Sequence, residues 1–407
     1  MTIGIVSTWF ERGAAYVSRQ LADVLSHKHE VCIYARGGEA TGKGDPNWDL
    51  PNVHWGKRYY DEPTKIDKRD FFRWIQRRNV SLLLFNEQRW WPVVAWCAER
   101  SIPCGSYVDY YTEETVPLYG LFDFLLCNTK RHRSAFDWHP GVVYVPWGTD
   151  TELFRPRSLE LCEDGRVVFY HSAGMSPHRK GTDMVLEAFA KCRHASALLR
   201  IHTQRSLPAA LPRHRTLIDD LQTTGAIDVI EKTVPAPGLY HRGDVYVYPS
   251  HLEGIGLTIA EALSCGLPVV TVDVPPMNEF VAPGSGVAVP PKRLYGRSDG
   301  YYWPKNDVKI EALADVLTEL ADDAERVASM KRAAREFAVQ HLNWGANAAT
   351  LADRLSAVKS ASLEAKRDAF ESYRDYESRR SLSNKAKIRI VAPRLYNAFA
   401  RVAKGAR

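Results

Sequence analysis

The sequence predicts an α/β protein of two domains, each built on a doubly wound parallel sheet, and three observations carry that expectation. At 407 residues the chain exceeds what one core accommodates, since single cores stop growing near ~250 residues. Short β-rich apolar runs alternate with stretches of helical periodicity, the wiring that produces parallel sheets covered by helices. The alternation breaks off at 146–164, where Pro146, Gly148, Pro156 and a cluster of charges read as a connection, and then it restarts.

In the first domain, 1–150, residues 3–6, 31–34, 82–85, 124–127 and 142–145 read as strands. Between them Val17, Leu21, Val24 and Leu25 stand at helical spacing within 14–25, and 71–78 and 93–100 follow suit. The second domain, 165–345, repeats the wiring with strands at 167–171, 198–202, 226–230, 245–248 and 268–272. From 310 the pattern turns helical, with Leu313, Val316, Leu317 and Leu320, then Met330, Ala334 and Phe337, at spacings of three and four. The remainder, 346–407, is expected to be a helical extension with a mixed, charged segment at 360–378 and a basic tail.

Composition narrows the class. Hydrophobic residues at 45% and charged residues at 25% describe an ordinary globular protein. No apolar run approaches the ~20 residues needed to span a bilayer, and Met1 leads into the first strand without the features of a secretory signal, so a cytoplasmic location is expected. Cys32, Cys97, Cys104, Cys127, Cys162, Cys192 and Cys265 are scattered and mostly among apolar residues, so they read as reduced core positions rather than a disulfide framework or a zinc site. The net charge of +6 belongs to the tail: 379–407 hold nine Lys/Arg and no Asp/Glu, leaving 45 basic against 48 acidic residues elsewhere. A body so nearly neutral argues against a nucleic-acid partner.

Chemistry concentrates after two strands of the second domain. Strand 245–248 runs into Pro249-Ser250-His251-Leu252-Glu253-Gly254-Ile255-Gly256-Leu257, then a helix carrying Glu261. Ligands of open parallel sheets bind beyond the carboxyl ends of strands, and the unpaired N–H groups of the next helix favour phosphate. Glu253 suits sugar hydroxyls and Glu261 a ribose diol; equally, the first is a turn residue and the second a solvated helix residue. Strand 167–171 runs into a loop ending in Arg179-Lys180-Gly181 before another helix. Fixed cations there would stabilise a departing diphosphate more in the transition state than in the ground state, against the plain alternative of two exposed surface charges.

The pair Glu253 and Glu261, with seven residues between and Ala262-Leu263-Ser264-Cys265-Gly266-Leu267-Pro268-Val269-Val270 behind, resembles the signature of glycosyltransferase family 4. The loop 174–181 resembles that family's Gly-Arg-Leu turn and Lys-Gly pair, and the likeness extends over about 145–350. The resemblance implies a GT-B fold of two facing Rossmann-like domains with a C-terminal helical extension. It places Lys180 at the donor diphosphate, Glu261 at the ribose, and Glu253 at the donor sugar as a catalytic residue. The backbone of Gly254, Ile255, Gly256 and Leu257 would serve sugar or phosphates. It further implies retention at the anomeric carbon, no metal, and no cofactor beyond a nucleotide-diphosphate sugar as co-substrate. Three positions depart from the pattern. Met175 replaces the usual phosphate-binding arginine, with Arg179 the candidate substitute; Pro275-Pro276 replaces a glycine pair before Glu279; and Val108-Asp109-Tyr110-Tyr111 lacks the usual histidine, with Asp109 the catalytic candidate in its place.

On the acceptor side, the resemblance assigns the loop 7–14, with Arg12 and Gly13, to the cleft. Nine of the eleven tryptophans fall within 1–150, either as platforms for sugar faces or as core. The basic stretch 385–407 places Leu395, Phe399 and Val402 on one helical face, which suits an anionic membrane surface or docking on the first domain. The expected protein is therefore a retaining hexosyltransferase acting on a carbohydrate or lipid-linked acceptor in cell-surface polysaccharide or glycolipid synthesis, peripheral to the inner face of the membrane. The alternatives are a nucleotide-sugar epimerase on the same fold and an inactive GT-B binding subunit.

Overall fold

The computed structural model describes residues 1–38, 40–59, 62–162, 166–192 and 197–391, with side chains to Ser381. Most of the basic tail, 392–407, and the amphipathic face read within it lie outside these residues.

The first domain holds a seven-stranded parallel sheet of β1 (Thr2–Ser7), β2 (Glu30–Ala35), β3 (Val53–Trp55), β4 (Val80–Asn86), β5 (Cys104–Tyr107), β6 (Phe124–Cys127) and β7 (Val142–Tyr144). Their order is β3-β2-β1-β4-β5-β6-β7. The second sheet is also parallel, with β8 (Val167–Gly174), β9 (Ala197–Thr203), β10 (Ile227–Glu231), β11 (Val245–Tyr248), β12 (Val269–Val272) and β13 (Gly286–Val289) in the order β10-β9-β8-β11-β12-β13. An antiparallel hairpin, β14 (Pro291–Tyr295) and β15 (Lys305–Val308), follows. All ten strands read from the sequence are present within three residues of their expected bounds, and β5, which begins at Cys104, ends just before Val108-Asp109. The short β3, β13 and the hairpin were not expected, since their three to five residues carry too few apolar positions to stand out.

Strand alternation feeds two cores. In β4, Leu82 and Leu84 join a core that continues through Val145, Trp147 and Phe154 into the second domain. Leu83 and Phe85 face a separate core with Phe71, Trp74 and Val94. Both faces of the sheet are covered, which is why its strands read as continuous apolar runs. Six of the seven cysteines are buried as expected, while Cys162 is exposed in the connection between the sheets.

After helices Ile310–Asp322 and Ala324–His341 the chain returns to the first domain. The Thr149 N–H donates to the Leu342 carbonyl at 2.7 Å, and the rings of Trp147 and Trp344 lie 5.0 Å apart. Most of the segment read as mixed and charged belongs to a long helix, Arg367–Val391, laid on the 3-10 turn Val116–Leu121. Ala369 and Phe370 enter the core beneath it, while Arg380 reaches Glu62 at 2.7 Å and Arg379 reaches Glu114 at 3.5 Å. Just before it, Lys366 pairs with Asp123 at 2.7 Å in a buried ion pair. The extension thus completes the first domain.

Contacts between the domains set the width of the cleft. Buried Arg131 donates to the carbonyls of Pro275 at 2.9 Å and Glu253 at 2.6 Å. Glu279 accepts from the N–H groups of Lys130 at 2.6 Å and Arg131 at 2.8 Å, a carboxylate at the N-terminus of helix Lys130–Ala135 supplied from the other domain. The segment 296–304 joining β14 to β15 crosses to the first domain, where Tyr301 stacks on Tyr110 at 5.3 Å and the Tyr302 N–H donates to the Tyr111 carbonyl at 2.9 Å.

The second domain is pinned by a buried ion pair, Lys331 with Asp244 at 2.8 Å; Asp244 also accepts from the N–H groups of Cys162 and Val168, each at 2.9 Å. Replacing Asp244 with Ala strands a buried ammonium and two N–H donors, so a loss of about 3–5 kcal/mol is expected in urea unfolding, against a near-neutral exposed control such as Asp353→Ala.

Candidate active site

Each sheet reverses its winding at one place, between β1 and β4 in the first domain and between β8 and β11 in the second. Connections diverge there, so strand ends open onto a crevice. A cavity of about 360 Å³ lies between the two crevices. The first domain lines it with Gly13 and Ala14 after β1, Asn86 and Glu87 at the end of β4, and Tyr107 and Asp109 at the end of β5. The second contributes Arg179 and Lys180 after β8, and Glu253 through Thr258 after β11.

Glu253 organises the second-domain wall. Its Oε1 accepts from the Lys180 ammonium at 2.8 Å, the Arg179 guanidinium at 3.1 Å and the Tyr248 hydroxyl at 2.8 Å, with the Ser250 hydroxyl 2.9 Å away. Burial opposes the charge on this carboxylate, but Lys180 and Arg179 outweigh burial and hold its pKa at about 2. Burial pushes the Lys180 ammonium below its ordinary range, with Glu253 countering. Oε2 takes part in none of these four contacts, which leaves an acceptor on a residue that lines the cavity. Arg179 reaches Glu253 and lines the cavity although 48% of its side chain stays exposed, whereas Met175 is 60% exposed on the same loop and lines nothing here.

The helix Leu257–Ser264 starts from Gly256, whose φ of +86° favours glycine, and no side chain caps it. Its first N–H groups therefore open toward the cavity lining, in the region where anions are favoured. Glu261 lies in the second turn, outside the lining of this cavity, and accepts from the Tyr240 hydroxyl at 2.6 Å. Burial raises its pKa to about 7, partly offset by that hydrogen bond and by Lys180.

The opposite wall is a carboxyl pair. Burial first, then the neighbouring Glu87, raise the pKa of Asp109 to about 7, against Arg131 and Arg12. Glu87 holds φ of +52°, a left-handed conformation costly for a residue with a Cβ, and pairs with Arg12 at 3.0 Å. Arg12 therefore acts through Glu87 rather than by lining the cavity, whereas Gly13 does line it. A Cβ on Gly254 would stand 2.5 Å from Asp109 Oδ1, so a glycine is needed for the two domains to approach here.

Sequence reasoning missed Asn86, Glu87, Arg131 and Tyr248. The first ends the strand that neighbours β1 and the second directly follows it, a position that becomes meaningful once strand order is known. The tryptophans resolve toward packing: Trp9, Trp48, Trp74, Trp91 and Trp147 are buried, and Tyr107 is the one aromatic residue lining this cavity.

Residues 165–323 match the family model described as Glycosyl transferases group 1. The second domain is thus a group 1 glycosyltransferase domain, and the two facing parallel-sheet domains form the GT-B fold. The chain is 30% identical over 230 residues to a D-inositol 3-phosphate glycosyltransferase of Thermobispora bispora, covering 52% of this chain and 49% of that one. It is 26% identical to a GDP-mannose-dependent alpha-(1-6)-phosphatidylinositol monomannoside mannosyltransferase of Mycolicibacterium smegmatis, covering 57% and 60%. The chain therefore spans about half to three fifths of the length of these relatives. The structure of Anabaena Alr3699/HepE in complex with UDP superposes with a TM-score of 0.68 at 15% identity, over 88% of this chain and all of that one, a likeness of fold.

The raised pKa of Asp109 gives a signed expectation. A carboxyl with a raised folded pKa stabilises most below its unfolded value near 4 and loses that contribution as pH rises through about 7. At pH 8 the wild type carries a buried charge that Asp109→Asn lacks, so the variant should melt about 2–4 °C higher, the shift for ~1 kcal/mol, with the gap closing by pH 5. Melting curves at both pH values decide it, and a pH-independent difference would contradict the assignment.

Proposed function

We propose that this protein is a retaining glycosyltransferase that moves a hexose from a nucleotide-diphosphate sugar to a carbohydrate or glycolipid acceptor, without a metal in the transfer step. The observation that carries this reading is the cluster of Lys180, Arg179 and Glu253 on one wall of a cavity closed by the other domain. Lys180 and Arg179 supply positive charge where a diphosphate departs, and the uncapped N–H groups after Gly256 add to it. Arg179, whose guanidinium forks toward oxygens, takes the place left by Met175. Glu253 Oε2 accepts from a hydroxyl of the hexose, and Glu261, deeper along its helix, takes the ribose diol.

In the transfer, the acceptor oxygen bonds to the anomeric carbon as the bond from that carbon to the diphosphate breaks. Retention in one step puts both bonds on one face of the sugar, so the departing phosphate oxygen is the group nearest the incoming hydroxyl and takes its proton. Asp109 and Glu87 orient the acceptor or the hexose from the opposite wall. A glycolipid acceptor is supported by the name of the mannosyltransferase relative and by the basic stretch 385–407, which suits an anionic membrane surface, with a role in cell-surface polysaccharide or glycolipid synthesis. Among the described residues no helix is long and apolar enough to cross a membrane.

Three measurements test the reading. In a thermal-shift panel of UDP, GDP, ADP and their sugars, one base should raise the melting temperature and Lys180→Ala should lose the rise. Glu253→Gln frees both cations from their carboxylate partner, so it should bind the nucleotide sugar at least as tightly while transfer falls about 100-fold or more; unchanged turnover would sink the assignment, and acceptor-free epimerisation would favour the epimerase. If ionised Glu261 holds the ribose, affinity for the nucleotide sugar should rise about tenfold from pH 6 to pH 8, as expected for a group with pKa about 7. Glu261→Gln should flatten that profile, and a persistent slope would assign the titration elsewhere.

A further inference from the structure

Behind the donor wall, three side chains converge that the transfer reaction does not use. His178 lies on the loop after β8, Asp183 in the first turn of helix Thr182–Cys192, and His251 on the loop after β11. One ligand atom from each falls within 4.8 Å of the others. His178 Nδ1 stands 3.4 Å from Asp183 Oδ2, and His251 Nε2 stands 3.6 Å from Asp183 Oδ1.

His251 is 5% exposed and its tautomer is legible from its surroundings. Nδ1 lies 2.7 Å from the Asn306 carbonyl and 3.0 Å from Asp307 Oδ1, two acceptors that require the proton on that nitrogen. Nε2, on the other edge of the ring, then faces Asp183 Oδ1 across 3.6 Å. Both atoms are buried and neither has a hydrogen-bond partner. A buried ring nitrogen and a buried carboxylate oxygen at this distance need positive charge between them, a proton on Nε2 or a metal ion.

We propose that His178, Asp183 and His251 form a binding site for a borderline divalent cation of the zinc class. Two imidazoles and a carboxylate are the ligand types such ions take, and a tetrahedral ion with bonds of ~2.0–2.2 Å sets its ligand atoms roughly 3.3 Å apart. Each histidine nitrogen already stands near that distance from one oxygen of Asp183, His178 from Oδ2 and His251 from Oδ1. His178, 71% exposed in its side chain, has the freedom to bring its nitrogen toward that of His251. Asp307 and the Asn306 carbonyl behind His251 supply the outer acceptors that orient a ligating histidine. Three protein ligands leave a fourth position for water.

The ion would tie together the two loops that carry the donor wall. The His251 N–H already donates to the Arg179 carbonyl at 3.1 Å, so a cation bridging the loops holds Arg179 and Lys180 against Glu253. This is a structural role, separate from the transfer chemistry, and it stands whether or not that chemistry is correctly assigned.

The test uses the tag-free full chain stripped by chelation and titrated with Co²⁺, then Zn²⁺. One Co²⁺ per chain should bind with the strong visible absorption of a four-coordinate site, Zn²⁺ should displace it, and Zn²⁺ should raise the melting temperature. His178→Ala alters an exposed side chain, so the metal-free variant should melt like the metal-free wild type yet bind Co²⁺ at least about tenfold more weakly, without the absorption band. Absence of the band and of a melting shift in the wild type would overturn the proposal, with a proton on His251 Nε2, visible by nitrogen-15 NMR, as the cation that fills the gap. Equal binding by wild type, His178→Ala and Asp183→Asn would overturn it too, by placing the metal elsewhere.

Discussion

A buried carboxylate must be compensated, and at Glu253 that requirement shapes the whole donor wall. Removing an ionised carboxyl from water costs several kcal/mol unless charge and hydrogen bonds replace the lost hydration. Here the replacement comes from Lys180 and Arg179 on one loop and from Tyr248 and Ser250 beside Glu253 itself. The loops after β8 and β11 are thereby held together, Gly181 passing so close to the Pro249 carbonyl that a Cβ would stand 2.2 Å from it. In the proposed reading, an arriving diphosphate would compete with Glu253 for the same two cations, so donor binding would rearrange an existing ion-pair cluster rather than fill an unpaired one.

The second constraint is the fit between domains. Rossmann-like domains joined only through the connection at 146–164 and the return of the chain after His341 would otherwise move with respect to each other, as modest interfaces within a chain allow. Arg131, Glu279 and Tyr301 each bridge the cleft with directed hydrogen bonds. The Pro275-Pro276 pair, a departure from the family pattern, serves this interface: the Pro275 carbonyl accepts from Arg131, and Glu279 just beyond supplies its carboxylate to a helix N-terminus across the cleft. Cleft width and donor wall are thus coupled, because Arg131 donates to the backbone of Glu253, the residue that gathers the cations.

Much of the site was legible because its elements are local. The run from Gly254 to Leu257 carries its own meaning, a glycine turn before a helix, and the cations at 179 and 180 stood out before the next helix, whereas their ion pairs with Glu253 were not foreseen. Arg179 was open between solvent and site, and it takes both: its guanidinium pairs with buried Glu253 while about half of the side chain stays exposed. Glu87 was invisible for a physical reason: its role comes from a left-handed backbone and a neighbouring carboxyl, Asp109, that lies 22 residues away in the chain.

The sequence by itself determined what periodicity and short-range chemistry encode: two α/β domains, ten of the strands, the joint near 150–165, and the motif around Glu253 and Glu261. Tertiary structure alone decided which strands are neighbours, and hence that the loops after β1 and β4 meet those after β8 and β11. It also decided that the C-terminal helix completes the first domain, and that Asp109 approaches Gly254 closely enough to exclude any side chain. Those outcomes depend on contacts between residues tens to hundreds of positions apart, whose energies come from burial and shape at the meeting point and leave no periodic trace in either segment.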